Sequence, residues 1–142
     1  MKIPNTDITF IQSLIPQRAP FIMVSSLLEY SETHLKAGYS VNSENIFFKE
    51  NRFLEPGIIE HMAQSVALHT GYQYHLKNQK APTGYIGSIN KIEIYELPKL
   101  SDELTTEVSI LQEFLGVTLV DIRTLCNNRC IAQGQMKTVI AK

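Results

Sequence analysis

Apolar and polar positions change their period several times along the 142-residue chain, and each change marks an element. Ile8, Phe10, Ile11 and Leu14 space a short helix that Thr6 or Asp7 can cap and that ends before Pro16. Residues 21–30 read as a strand, residues 31–33 (Ser-Glu-Thr) as its turn, and residues 34–41 alternate apolar side chains at Leu35, Ala37, Tyr39 and Val41. That pair of runs predicts a hairpin. Residues 42–55 follow no period and are expected as a loop with a short helical turn near 51–54.

The segment from 56 to 75 differs from everything else. Ile58, Ile59, Met62, Ala63, Val66 and Ala67 follow helical spacing, and Pro56 occupies a helix-start position beside Gly57. Between Glu55 and Lys77 the only side chain with a firm charge at neutral pH is Glu60. A helix that is apolar on nearly every side is central rather than superficial. After Pro82 and Gly84 come four strand-like runs, over 85–96, 104–114, 116–126 and 129–141, with Gly116 and Asn127-Asn128 as hairpin turn residues. Two strands, one long helix and four further antiparallel strands predict an α+β fold: one sheet wrapped around a buried helix, in a single domain spanning 1–142.

Composition narrows the function. Apolar residues make up 44% and charged residues 19%, with seven Gly and six Pro, which excludes collagen-like and disordered readings. A formal charge of −1 gives no electrostatic footprint for nucleic acid. No apolar run approaches the ~18 residues of a membrane span, and residues 1–7 are too polar for a signal peptide, so a cytoplasmic protein without membrane insertion is expected. Cys126 and Cys130 flank Asn127-Asn128-Arg129; with no His nearby they read as reduced thiols on neighbouring strands, and no metal is expected. Phosphate loops, nucleotide fingerprints and nucleophile elbows are all missing from the sequence.

Candidate chemistry gathers at the start of the long helix. A carboxylate at Glu60 gains from the helix dipole, whereas apolar surroundings favour the neutral acid, and such opposed effects suit acid–base work near neutral pH. The alternative is a water-facing Glu that caps free amides. Gln64 lies one turn on, where it can hold the Glu60 carboxyl, contact a substrate carbonyl or satisfy a buried polar group. Gly57 and its neighbouring N–H groups can receive a developing oxyanion, although helix-start glycines are common. Among His34, His61, His69 and His75, only His61 adjoins Glu60, and it points about 100° away around the helix. Tyr72, Tyr74 and Tyr85 read as packing.

The runs LIPQRAPFIMV (14–24) and EPGIIEHMAQSVALHTGY (55–72) resemble the bacterial 3-hydroxyacyl-acyl-carrier-protein dehydratases of the hotdog fold, which carry an LPHRxPF-like start and a helix with an acid followed by MAQ. Similarity continues through IGSINKIEI, LSDELTTEVSI and CNNRCIAQGQMKTVIA, and is greatest to the dehydratase-like proteins of aryl polyene and flexirubin clusters. The resemblance implies an acyl thioester substrate on ACP or CoA, no cofactor, and a homodimer or a hotdog heterodimer. It also implies a site in which a loop His removes the α-proton while a helix acid from the opposite subunit protonates the departing β-hydroxyl. Glu60 matches that acid and Gln64 the Gln of MAQ. The loop from 42 to 56 holds no His, Gln17 stands where the start motif has His, and Gly57 precedes the acid by three residues instead of five. The expectation is a dehydratase with catalytic Glu60 and with His61 or a partner's group as base, and with Gly57 and Gln64 binding substrate. The alternatives are a catalytically silent acyl-binding or partner subunit, and a thioesterase using Glu60.

Overall fold

The computed structural model describes residues 2–140. In chain order the elements are α1 (Ile8–Leu14), β1 (Ser26–Ser31), β2 (His34–Ser40), β3 (Phe48–Lys49), β4 (Arg52–Phe53), α2 (Glu55–Leu76), β5 (Gly84–Ile94), β6 (Glu103–Phe114), β7 (Val117–Cys126) and β8 (Arg129–Ile140). Six strands form one antiparallel sheet in the order β1-β2-β6-β7-β8-β5, and β3 and β4 pair separately. The sheet curls around α2, which packs against β2, β6, β7 and β5. This is the expected hotdog architecture. The expected end of the last strand, Ala141, lies outside the described residues.

Local chemistry accounts for the elements. The Asp7 carboxylate accepts the Thr9 N–H at 3.0 Å and caps α1. Pro56 sits in the first turn of α2, where its missing N–H costs nothing. Along β7 the buried residues Val120, Ile122, Thr124 and Cys126 alternate with exposed Asp121 and Arg123, so one face meets α2 and the other water. Asn127 and Asn128 turn β7 into β8 with both φ angles positive, the geometry that matches the twist of a two-residue hairpin. Cys126 and Cys130 are free thiols on β7 and β8, and burial pushes the Cys126 thiol up to about 11.

Two expectations are corrected. The helical turn near 51–54 is instead the β3–β4 hairpin, closed by Glu50 and Asn51 at φ 50° and 60°. The first strand starts at Ser26 rather than at 21, because the backbone of residues 21–23 bonds to side chains of α2. Nearby, Gly71 lies inside α2, a position that ordinarily costs about 1 kcal/mol relative to Ala. The close approach of α1 requires it: a Cβ at Gly71 would stand 1.9 Å from the Leu14 carbonyl oxygen. Among the described residues no helix is long and apolar enough to cross a membrane.

Candidate functional site

Nearly every side of α2 is buried, as its sequence predicts, but one stripe is half open. Glu60, Ala63, Ala67, Thr70 and Tyr74 share that stripe at helical spacing, and all five line a groove of about 490 Å³. The opposite walls come from residues 13–17, the 80–86 segment leading into β5, and the ends of β6, β7 and β8. From Glu60 to Tyr74 the stripe runs ~21 Å at 1.5 Å per residue. It is long and narrow, and its small side chains leave room for an extended ligand.

Gln64 holds Glu60 in place. Its Nε2 donates to Glu60 Oε1 at 3.3 Å and to the Phe21 carbonyl, while its Oε1 accepts the Met23 N–H at 2.7 Å. The side chain is completely buried and does not line the groove. Of the expectations for Gln64, the structure shows the contact that holds the Glu60 carboxyl: Gln64 ties Glu60 to the 21–23 backbone and is not on the groove, where substrate binding was expected of it. Among the described residues Glu60 Oε2 has no protein partner.

His61 is 0% exposed and sits on the sheet side of α2, away from the groove. Nδ1 meets the Met23 carbonyl, which can only accept, so Nδ1 carries the proton. Nε2 then accepts from the Thr106 hydroxyl at 2.8 Å, and Thr106 Oγ1 accepts in turn from Thr124 Oγ1 at 2.7 Å. Burial lowers the imidazole to about 4, against the opposing pull of the Met23 carbonyl. A neutral, fully bonded, water-excluded ring cannot exchange protons with a ligand in the groove. The structure therefore places His61, expected as the second acid–base group, in the core and off the groove that Glu60 lines.

Gly57 is corrected as well. Its amide donates to the Leu54 carbonyl at 2.9 Å inside the opening turn of α2, and a Cβ there would strike the Phe53 ring at 2.3 Å. Its small size admits Phe53 into the core, its N–H is already bonded, and it does not line the groove. The other histidines also serve packing. His69 Nε2 bonds to the Ser31 carbonyl at 2.9 Å, with burial lowering the ring's pKa, while His75 stacks on Tyr72 and His34 lies 3.9 Å from Glu29. Tyr72 packs as expected, whereas Tyr74 and Tyr85 line the groove. Among the described residues no His lines it, and neither does any residue of 42–56.

Comparison with known proteins agrees with this architecture. The ApeP-like family, described as ApeP dehydratase, matches residues 9–142. The chain is 31% identical over 146 residues to a 3-hydroxyacyl-[acyl-carrier-protein] dehydratase FabZ of Clostridium botulinum (strain Okra), covering 96% of each chain. It is 27% identical over 138 residues to the FabZ of Ruminiclostridium cellulolyticum, covering 93% of this chain and 95% of that one. Among solved structures, the dehydratase heterocomplex ApeI:P from Xenorhabdus doucetiae superposes with a TM-score of 0.87 at 14% identity, over 100% of this chain and 93% of that one. A hypothetical thioesterase with coenzyme A from Streptococcus pneumoniae has the same fold at a TM-score of 0.67 and 11% identity, over 81% of this chain and 84% of that one.

Proposed function

We propose that this chain, which belongs to the ApeP-like dehydratase family, supplies the acid half of a 3-hydroxyacyl-thioester dehydratase whose base comes from a second hotdog subunit. The observation that carries this reading is the placement of Glu60. It is the one acidic side chain of α2 beyond the exposed Glu55, it stands on the half-open stripe, and Gln64 orients it toward a long groove. In the reaction a base takes the proton from Cα, the electron pair forms the Cα–Cβ double bond, and the β-hydroxyl leaves as water with a proton from Glu60. The leaving group needs that proton because hydroxide is a poor leaving group, and general acid assistance is worth ~10²–10⁴-fold.

The base is what this chain lacks. With His61 sealed in the core and no His lining the groove, the single chain brings an acid and no imidazole to the site. A different hotdog subunit carrying a loop His would complete the pair. The relative in Xenorhabdus doucetiae is a heterocomplex, which supports this arrangement. One edge strand of the sheet, β5, adjoins the groove and exposes Tyr85 (61%), Ile86 and Ile89, so a second subunit seated there would bury them. The substrate is an acyl thioester on ACP or CoA.

The test is dehydration of 3-hydroxyacyl-ACP by the purified chain alone and after co-expression with hotdog proteins encoded beside it. The chain alone should be slow and the mixed complex fast, and Glu60→Gln in the complex should lower turnover ~10²–10⁴-fold without unfolding it. Fast turnover by the chain alone, or an unaffected Glu60→Gln complex, would refute the reading. Release of free acyl acid instead of the enoyl product would assign a thioesterase.

A further inference from the structure

Residues 21–23 are the backbone to which Gln64 ties Glu60, yet among the described residues they have no strand partner. Bonds to two side chains of α2 hold them instead. Gln64 takes the Phe21 carbonyl and the Met23 N–H, and His61 takes the Met23 carbonyl. Both backbone polar groups of Met23 are thus gripped by side chains three positions apart on one helix. Behind His61 the contacts continue into the sheet, through Thr106 in β6 at 2.8 Å and Thr124 in β7 at 2.7 Å. His61, Gln64, Thr106 and Thr124 are all 0% exposed, so bulk water reaches none of them. Each bond fixes the direction of the next. The Met23 carbonyl only accepts, which puts the ring proton on Nδ1 and leaves Nε2 to accept from Thr106. The Thr106 proton is then used, so Thr106 accepts from Thr124. The Met23 N–H only donates, so Gln64 presents Oε1 to it and turns Nε2 toward Phe21 and Glu60. Every link donates toward Glu60.

We infer that His61 is a positioning residue for Glu60, acting through the Met23 backbone and the Gln64 carboxamide. The inference rests on the acid role proposed above for Glu60 and adds what holds that acid in place from the far side of the helix. Among the described residues, Gln64 is the one side chain bonded to Glu60. Its orientation depends on where Met23 presents its N–H, and that depends on the Met23 carbonyl being held. An apolar side chain at 61 fills the space but strands the Met23 carbonyl and the Thr106 hydroxyl in the core. Stranded polar groups are costly, so the 21–23 backbone turns to find another donor. The Gln64 carboxamide turns with it, and Glu60 loses its fixed partner. A polar ring in the core is thereby coupled to a carboxylate on the groove without touching the ligand.

The test compares His61→Leu with His61→Gln, which keeps a donor for Met23 and an acceptor for Thr106. If His61→Leu does not fold, His61→Leu/Thr106→Val replaces it, since that pair removes the stranded hydroxyl as well. The first measurement is nitrogen-15 NMR of the chain alone, following the Gln64 carboxamide protons, assigned by their loss in Gln64→Glu. His61→Leu should speed their exchange with solvent about 10-fold or more, as expected for losing one buried hydrogen bond, and His61→Gln should leave it unchanged. The second measurement is turnover of 3-hydroxyhexanoyl-ACP by the mixed complex. His61→Leu should lower kcat about 10-fold or more with KM held, because His61 does not line the groove. His61→Gln should restore kcat, and in a Glu60→Gln background His61→Leu should cost nothing further. Unchanged Gln64 exchange in a folded His61→Leu chain overturns the inference. So does a kcat that stays at the wild-type value, a loss that His61→Gln fails to recover, or one that persists without Glu60. A wild-type complex with no turnover would instead sink the acid role of Glu60, and the NMR result, taken on the chain alone, still decides whether His61 positions that side chain.

Discussion

Acid should weaken this fold, in part through His61. In an unfolded chain an imidazole titrates near 6.5, whereas His61 in the core titrates at about 4. Between those values the unfolded state binds a proton that the folded state refuses, so stability rises with pH across the window. The contribution is fully present above pH 6.5 and is lost as pH falls toward 4. At 1.36 kcal/mol per unit, the difference amounts to ~3 kcal/mol. That is a large share of the 5–15 kcal/mol typical of a domain. Urea denaturation at steps from pH 7.5 to 4.5 measures it, with His61→Gln as the comparison. Gln can donate to the Met23 carbonyl and accept from Thr106 but does not titrate. His69, whose pKa burial also lowers, and the carboxylates contribute equally to both proteins, so the difference between the two curves isolates His61. The curves should converge by about 3 kcal/mol on acidification. Parallel curves would refute the buried neutral imidazole, and loss of turnover in His61→Gln with unchanged stability would return His61 to the reaction.

Two further outcomes follow from the same contacts. Gln64→Leu keeps the volume but leaves the Met23 N–H and the Phe21 carbonyl unpaired in the interior; we expect a loss of ~2–5 kcal/mol, seen as a melting point lower by roughly 10 °C, together with reduced turnover as Glu60 loses its tether. Ile89→Lys on the open edge of β5 should abolish association with a second subunit in sedimentation velocity while the chain stays folded by circular dichroism, since Ile89 is exposed in the single chain.

The fold was legible because its elements differ in period. A strand run such as 120–124 alternates, and α2 is apolar on nearly every side, so the sheet and its central helix follow from patterning alone. Glu60 stood out because a lone charge in such a helix needs a reason. What local pattern could not carry were bonds between distant positions. The 21–23 backbone is held by Gln64 and His61, 38 to 43 residues away, and an extended apolar run held by side chains reads the same as one held by a neighbouring strand. Gly57 illustrates the same limit: a glycine that admits Phe53 and one that exposes an amide are identical in sequence. The groove stripe was concealed by its chemistry, because Ala63, Ala67 and Thr70 count as helix formers or packing residues until the groove that they line is known.

Under the proposed mechanism, the placement of residues 60 and 61 argues for a second subunit. Adjacent positions on a helix differ by about 100°, so a helix with its sheet on one side and a groove on the other cannot direct both side chains to one ligand. Here Glu60 takes the groove and His61 takes the sheet, where Met23 and Thr106 hold it. The 42–56 loop cannot compensate. It is folded back on itself through Leu54 to Phe47 and tied to the next segment through Phe53 to Pro98, and no residue of it reaches the groove. One side of the groove is lined by the start of β5, an edge strand of the sheet. We propose that the base enters there from another polypeptide. A second copy of this chain would present the same loop without a histidine, and the proposed completing subunit differs in sequence while sharing the edge geometry.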